Sequence, residues 1–192
     1  ICELTFNSTS ISLPSYSNFL LFMKHFSTRS AASTVQNLGY PEVIERLFHN
    51  RGIVNSEQMA LGLSSLLSPL GLDGVDRASE LLLEALNKNK NILIIGDYDV
   101  DGATATSVLY RGLSLCGFKN INYLIPNRFI NGYGLSAAIV AQACELQIKP
   151  DMIITVDNGI SSIEGVAYAK SQGIDVIITD HHLPGDSLPD AD

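Results

Sequence analysis

Cysteine is scarce in this chain: Cys2, Cys116 and Cys144 are the only three among its 192 residues. Their odd number and wide spacing exclude a disulfide framework and a thiolate zinc site. Such sparse use of cysteine suits a reducing compartment, so we expect a cytoplasmic protein. Cys116 and Cys144 stand among apolar residues at helical spacing, which predicts that both lie in the core.

Long apolar runs and basic residues are also few. The stretch from Phe19 to Met23 is as long as any uninterrupted apolar run in the chain, whereas a membrane span needs roughly 20 such residues. We therefore expect no membrane partner. Twelve Lys and Arg residues against 20 Asp and Glu residues give a formal net charge of −8. This balance argues against a module that holds nucleic acid through a broad basic face, but not against an enzyme whose acids gather at one metal site.

The first 88 residues differ from the rest. No acidic residue occurs between Leu4 and Pro41, and Ser and Thr are dense there, so we expect residues 1–40 to form a partly ordered N-terminal arm. Residues 41–88 read as a helical lead. Apolar residues recur at helical spacing after Pro41 and again over residues 75–86, and Ser56 is typical of a helix cap.

From residue 89 onward, apolar strands alternate with helices. The pattern predicts strands at 92–95, 121–125, 152–156 and 176–179, and helices at 103–115, 136–146 and 161–171. Continuous apolar strands joined by helices indicate the α/β class, with a parallel Rossmann-like sheet covered by helices on both faces. Ligands of such sheets bind beyond the carboxyl ends of the strands.

Three of the four predicted strands end in acidic residues. The side chains concerned are Asp97, Asp99, Asp101, Asp157, Asp180, His181 and His182. A parallel sheet would gather them at one rim, where each close carboxylate pair costs about 4 kcal/mol at an effective dielectric near 20. Cations would offset this repulsion. Carboxylates with one or two imidazoles suit Mn²⁺ or Mg²⁺ better than zinc or copper, so the spacing predicts a hard-metal site that can take two ions.

These acids allow three other interpretations. Residues 97–102 match the opening of a calcium-binding EF-hand loop, but Val108 stands where that loop needs Glu, and a strand precedes it rather than a helix. The nucleophile pair of an aspartyl-phosphate phosphatase would leave His181 and His182 unexplained. Capping of helix N-termini by one of the acids is compatible with the metal site.

The loop at residues 126–134 is a candidate substrate contact. Its residues Asn127, Arg128, Tyr133 and Gly134 lie on the same predicted rim. Arg128 is a forked donor suited to a phosphate, although a surface salt bridge is the alternative. Tyr133 can stack on a base or pack inside the loop. The flanking glycines suggest backbone turns that few side chains tolerate.

Four stretches together, GDYDVDGATAT, PNRFINGYGLS, TVDNGISS and TDHHLPGDSLP, resemble the DHH phosphoesterase superfamily and, within it, the RecJ family of bacterial exonucleases. The resemblance is clearest over residues 91–192. It implies Mn²⁺- or Mg²⁺-dependent hydrolysis of single-stranded DNA from the 5′ end to 5′-mononucleotides, in DNA repair and recombination. It also implies that single-stranded DNA is the partner, and that other domains would supply most of the groove that binds it.

The resemblance further implies a role for each site residue. Asp99, Asp101, Asp157 and His181 match metal-ligand positions, and Asp97 would ligate directly or through water. Asp157 would bridge two ions. His182 would contact the scissile phosphate or assist the leaving group, with Asp180 orienting the pair, and Arg128 would contact the substrate.

The same family continues beyond the motifs present here. We therefore expect residues 89–192 to be a DHH domain truncated at its C-terminal end, and the fragment alone to have little nuclease activity. Two other functions stay open. One is another DHH phosphoesterase, acting on short oligonucleotides, cyclic dinucleotides or pyrophosphate. The other is a non-catalytic nucleic-acid-binding scaffold, which the acidic rim disfavours because it would repel DNA.

Overall fold

The computed structural model describes residues 37–192, so the expected arm lies almost wholly outside the described residues. The chain divides into two compact units between Leu67 and Ser68. The described part of the first unit contains helix α1 (Glu42–His49) and the short 3-10 helices Ser56–Met59 and Leu63–Ser65. Pro41 precedes α1 with φ −54°, the value that suits a helix start. The helical character expected of this region is confirmed.

The second unit is an α/β domain. After the 3-10 helix Pro69–Gly71 come α2 (Val75–Asn87), β1 (Ile92–Ile95), α3 (Val100–Leu115), β2 (Ile121–Leu124), α4 (Arg128–Asn131), α5 (Ala137–Cys144), β3 (Met152–Val156), α6 (Ile163–Ser171) and β4 (Asp175–Thr179). All four strands are parallel, in the order β2-β1-β3-β4. The predicted parallel sheet is confirmed. Among residues 37–192, no helix is both long and apolar enough to cross a bilayer.

The core lies on both faces of the sheet. Leu93 and Ile95 of β1 pack in the cluster formed with α5 and α6, whereas Ile92 and Ile94 pack in the cluster with α2 and α3. Successive strand residues point to opposite faces, so a strand without polar positions needs cover on both sides. This is why the apolar run of β1 predicts a central strand.

The strand order creates a crevice at the carboxyl end of the sheet. The chain passes from β1 to β2 on one side of β1, then returns to place β3 on its other side. The loop after β1 therefore leads to α3 on one face, and the loop after β3 leads to α6 on the other. Ligands of open parallel sheets bind at this kind of reversal.

The cap of the 3-10 helix Ser56–Met59 differs from the sequence-based expectation. Asn55 rather than Ser56 caps this helix, because the Asn55 side chain accepts a hydrogen bond from the Gln58 N–H at 3.1 Å.

The start of α3 and the place of Cys116 also differ from the expectations. Helix α3 begins at Val100 rather than near Ala103, because the Asp99 side chain accepts a hydrogen bond from the Gly102 N–H and caps the helix. The prediction that Cys116 lies in the core is wrong: Cys116 follows the last residue of α3 and is exposed, whereas Leu113 reaches the core. Cys144, the last residue of α5, is half-buried against the core cluster on the face of the sheet that α5 and α6 cover.

Candidate metal centre

The ends of β1, β3 and β4 bring the predicted acids and imidazoles to one rim. The ligand atoms of Asp97, Asp99 and Asp157 lie within 4.8 Å of one another, and so do those of Asp157, His181 and His182. Asp157 belongs to both groups. This arrangement follows from the parallel register, because β1, β3 and β4 end side by side.

Asp157 has an unusual backbone. Its φ of 62° is in the left-handed region, which residues other than glycine rarely adopt. Among those residues, aspartate and asparagine tolerate this region best because their side chains are short and polar. The Asp157 N–H donates to the Thr179 carbonyl at 2.9 Å, and the Tyr133 hydroxyl donates to the Asp157 carbonyl at 3.1 Å. Its carboxylate lies 2.9 Å from Nε2 of His181. Such conformations persist where the surrounding contacts hold them, often at functional sites.

Asn158, which the sequence analysis did not single out, joins the two central strands. The buried side-chain amide donates to the Ile95 carbonyl at 3.0 Å and to the Val156 carbonyl at 2.9 Å. These are the last residues of β1 and β3, so Asn158 ties together the strands that lead to Asp97 and Asp157. No periodicity signals such a residue, because its role depends on a strand more than 60 residues away.

We expect Asn158→Ala to lower the free energy of unfolding by about 2 kcal/mol, because the substitution removes two buried hydrogen bonds at once. Urea denaturation followed by circular dichroism measures the loss. Asn122→Ala, at an exposed position of β2, is the matched control and should change stability little. Equal losses in the two variants would contradict the assigned role of Asn158.

The Asp97 carboxylate is buried and lies close to other carboxylates of the site. It is 5% exposed, and its pKa is raised by burial first and then by repulsion from Asp99 and Asp157. Glycine at position 102 permits the crowding, because a Cβ there would overlap the Asp97 backbone. The carboxylates are thus held close by the backbone itself. A divalent cation with a preference for oxygen ligands offsets this repulsion, so the residues present fit Mn²⁺ or Mg²⁺.

Asp180 anchors the Asp-His-His segment from inside. Its side chain is fully buried, and its oxygens accept from the Ile160 N–H at 3.0 Å, the His181 N–H at 2.8 Å and the His182 N–H at 3.1 Å. Burial alone would raise the pKa of Asp180, but these bonds and the contact with the His182 ring hold it below its ordinary value. Asp180 therefore holds the backbone of His181 and His182 and the His182 ring in place.

The His182 ring is oriented by two oxygens. Its Nδ1 lies 2.7 Å from Asp180 Oδ1 and 2.9 Å from the Tyr133 hydroxyl. The ionised carboxylate can only accept, and the hydroxyl proton goes to the Asp157 carbonyl, so Nδ1 carries a hydrogen and Nε2 is left for a ligand. The Asp180 contact raises the pKa of His182. Burial and nearby acids raise the pKa of Tyr133 to about 12, which keeps its hydroxyl a donor.

Asp101 is placed apart from both ligand groups. It lies in the first turn of α3, is exposed, and lines a groove of about 410 Å³ together with Asp157, Asp180 and His181. Among the described residues, Asp101 therefore borders the same groove as Asp157 and His181 but belongs to neither group of ligand atoms that lie within 4.8 Å of one another.

The candidate substrate loop leads from β2 into α4 at the same end of the sheet. Asn127 caps α4 by accepting from the Phe129 N–H at 2.9 Å. Arg128 is the first residue of α4, and its side chain lies outside the described part of the structure. Gly134 is buried with φ 80°, and a Cβ there would lie 3.0 Å from Ser162 Oγ. A residue without a side chain thus lets the loop approach Ser162 closely.

Comparison with known proteins bears on this site. The family model described as "DHH family, N-terminal domain" matches residues 91–192. The single-stranded-DNA-specific exonuclease RecJ of Salmonella typhimurium is 46% identical over 152 residues, which are 79% of this chain and 26% of that protein. The RecJ of Bacillus subtilis is 35% identical over 162 residues, 82% of this chain and 20% of that protein. This chain thus spans about a quarter of the length of the first of these relatives.

Solved structures show the same relationship. A crystal structure of exonuclease RecJ bound to manganese matches with a TM-score of 0.59 and 39% identity, covering 66% of this chain and 32% of that one. RecJ from Thermus thermophilus in complex with Mn²⁺ matches with a TM-score of 0.56 and 34% identity, covering 75% of this chain and 19% of that one. Because the family model covers more than half of the residues, the chain belongs to the DHH family.

Proposed function

We propose that this chain carries the metal-binding part of a cytoplasmic exonuclease that degrades single-stranded DNA from its 5′ end to 5′-mononucleotides during DNA repair and recombination. The observation that carries the proposal is the place of Asp157, a buried carboxylate shared by two ligand groups at the crevice of the sheet. The similarity to RecJ exonucleases supports the choice of substrate.

In this proposal Asp97, Asp99, Asp157 and His181 hold two Mn²⁺ or Mg²⁺ ions, and Asp101 completes the set from α3. When bound, such ions supply an activated water and stabilise the departing oxygen of an in-line displacement. We further propose that residues 89–192 are the DHH domain, that residues 41–88 are its helical lead, and that residues 1–40 are an arm outside the catalytic part.

His182 acts on the substrate, and Asp180 and Tyr133 orient its ring. The Nδ1–H is held by Asp180 and Tyr133, so Nε2 is the nitrogen available to the scissile phosphate or the leaving oxygen. The Asp180 contact raises the pKa of His182, and a proton on Nε2 would let the ring act as a general acid. Arg128, as a forked cation at the carboxyl end of β2, suits a neighbouring phosphate, with Asn127 and Gly134 shaping the loop that carries it.

The test is digestion of single-stranded oligonucleotides labelled at either end, by the full protein to which this sequence belongs, with Mn²⁺ or Mg²⁺. We expect mononucleotides from the 5′ end and little digestion of a matched duplex. His182→Ala should slow the reaction by about 100-fold or more, because general acid assistance is lost. Asp186→Asn, an exposed acid outside both ligand groups, is the control and should leave the rate unchanged.

The 192-residue chain by itself should hydrolyse little DNA, because its charge of −8 disfavours a polyanion. A substrate with few phosphates needs no long basic groove, so a second candidate function is that of a DHH phosphoesterase acting on short oligonucleotides, cyclic dinucleotides or pyrophosphate. If the protein hydrolyses one of these substrates but leaves single-stranded DNA undigested, this second function would replace the exonuclease proposal. Rapid digestion of DNA by the 192-residue chain would contradict the expectation for the fragment.

A further inference from the structure

Another cavity lies on the far side of Asp97, between α3 and the edge strand β2. It has a volume of about 410 Å³ and is lined in part by Asp97, Thr106, Tyr110, Arg111, Tyr123 and Ile125. We call it the tyrosine cavity. Asp97 also belongs to one of the two groups of candidate metal ligands. The tyrosine cavity and the candidate metal centre are therefore neighbours that share this residue.

Two aromatic rings stand in its wall. Tyr110 of α3 and Tyr123 of β2 meet edge to face, with ring centroids 6.2 Å apart at 87°. They are nonetheless 39% and 63% exposed, so ring surface is left for a further partner. A flat aromatic ligand can stack on such surfaces, and tyrosine accepts any nucleobase in this way because every base has a π face.

The polar groups of the cavity point to an anionic ligand with hydrogen-bonding groups. Arg111 makes no ion pair with any acid in the described part of the chain. An unpaired guanidinium is a forked donor for a phosphate. Thr106 is 6% exposed, and its hydroxyl has no hydrogen-bond partner among the described residues. Buried polar groups without a partner are rare, so a ligand that supplies one is favoured.

We propose that the tyrosine cavity binds one nucleotide of the substrate strand, with its base against Tyr110 and Tyr123 and a phosphate beside Arg111. The identity of the ligand rests on the proposed function, because the neighbouring nucleotide of a strand held at the metal centre would reach a cavity that starts at Asp97. Stacking on tyrosine reads no base edge, so the cavity accepts all four bases.

The sequence contains no tryptophan, which makes a direct test possible. Tyr123→Trp introduces a single tryptophan into the cavity wall. Titration of this variant with thymidine 5′-monophosphate, at a fixed Mn²⁺ concentration, should quench its fluorescence saturably. Tyr168→Trp, on α6 at the opposite face of the sheet, is the matched control and should show no saturable quenching. If Tyr123→Trp does not fold by circular dichroism, Tyr110→Trp takes its place.

Further titrations separate the parts of the ligand. In the Tyr123→Trp background, Arg111→Gln should weaken binding of thymidine 5′-monophosphate about tenfold and that of thymidine little, because only the nucleotide carries a phosphate. Lys119→Gln removes an equal charge outside the cavity lining and should have no such effect. The other three nucleoside monophosphates should bind within about threefold of one another.

Absence of saturable quenching at position 123, or equal quenching at positions 123 and 168, would overturn the proposal. Equal weakening by the Arg111 and Lys119 substitutions would also overturn it. Quenching that meets the expectations in a protein without nuclease activity would keep the nucleotide site and refute only the exonuclease function. Digestion of single-stranded DNA without quenching at position 123 would refute the nucleotide site alone.

Discussion

Replacing Asp157 with asparagine is expected to weaken Mn²⁺ binding by about 100-fold or more. Loss of a residue that only hydrogen-bonds to a metal ligand already lowers metal affinity by about 10- to 100-fold, and Asp157 is itself a candidate ligand. Asp157 is the one carboxylate that both ligand groups share. Its substitution therefore removes a negative donor from each of them. Calorimetric titration of Mn²⁺ into the 192-residue chain measures the change.

Asparagine is the informative replacement because it tolerates the left-handed backbone of residue 157 almost as well as aspartate does. Alanine would add backbone strain to the loss of charge. The control Asp186→Asn removes the same charge from an exposed position outside the ligand groups, and it should bind Mn²⁺ as the parent chain does. Equal Mn²⁺ affinity in all three proteins would contradict a metal centre organised around Asp157.

Replacing Gly165 with alanine is expected to cost about 3 kcal/mol of unfolding free energy, because overpacking a fixed backbone contact forces the structure to shift. Gly165 lies in α6 and is buried, and a Cβ there would overlap the carbonyl oxygen of Leu135. That oxygen belongs to the backbone and has no flexible end that could move aside. Urea denaturation of the variant beside the parent chain measures the loss.

Gly112 supplies the matched control, because it is also a helical glycine but has open space around it. A Cβ at Gly112 meets no atom within 4 Å, and the residue lies exposed within α3. Gly112→Ala should therefore raise the unfolding free energy by about 1 kcal/mol through the better helix propensity of alanine. Stabilisation by both substitutions would mean that α6 moves away from Leu135 at little cost.

The sheet could be predicted from the sequence because the information is local. A run such as Ile92–Ile95, with no polar position, reads as a strand covered on both faces, and the structure buries all four residues. The acids that follow the strands were likewise identified from position alone, since parallel strands end at a common rim. The short helix α4 escaped prediction because it has only four residues and lies in a loop.

The differences among the site residues could not be predicted from the sequence and became visible only in the tertiary structure. Sequence position treats Asp101 and Asp157 alike, yet only Asp157 is buried in the left-handed conformation and shared by two ligand groups. Sequence position also does not reveal that Asp180 points inward, where backbone N–H groups surround it. These differences depend on distances between elements, which no local pattern encodes.

The class of the sheet, its strands, and the acids and imidazoles at its rim could all be predicted from local sequence patterns. These features follow from periodicity and from the place of each residue along its own strand. The folded domain was needed to establish the strand order, the hydrogen bonds of the Asn158 amide to β1 and β3, and the contact between Tyr110 and Tyr123. Each of these is a contact between distant parts of the chain, and packing of the whole domain brings them together.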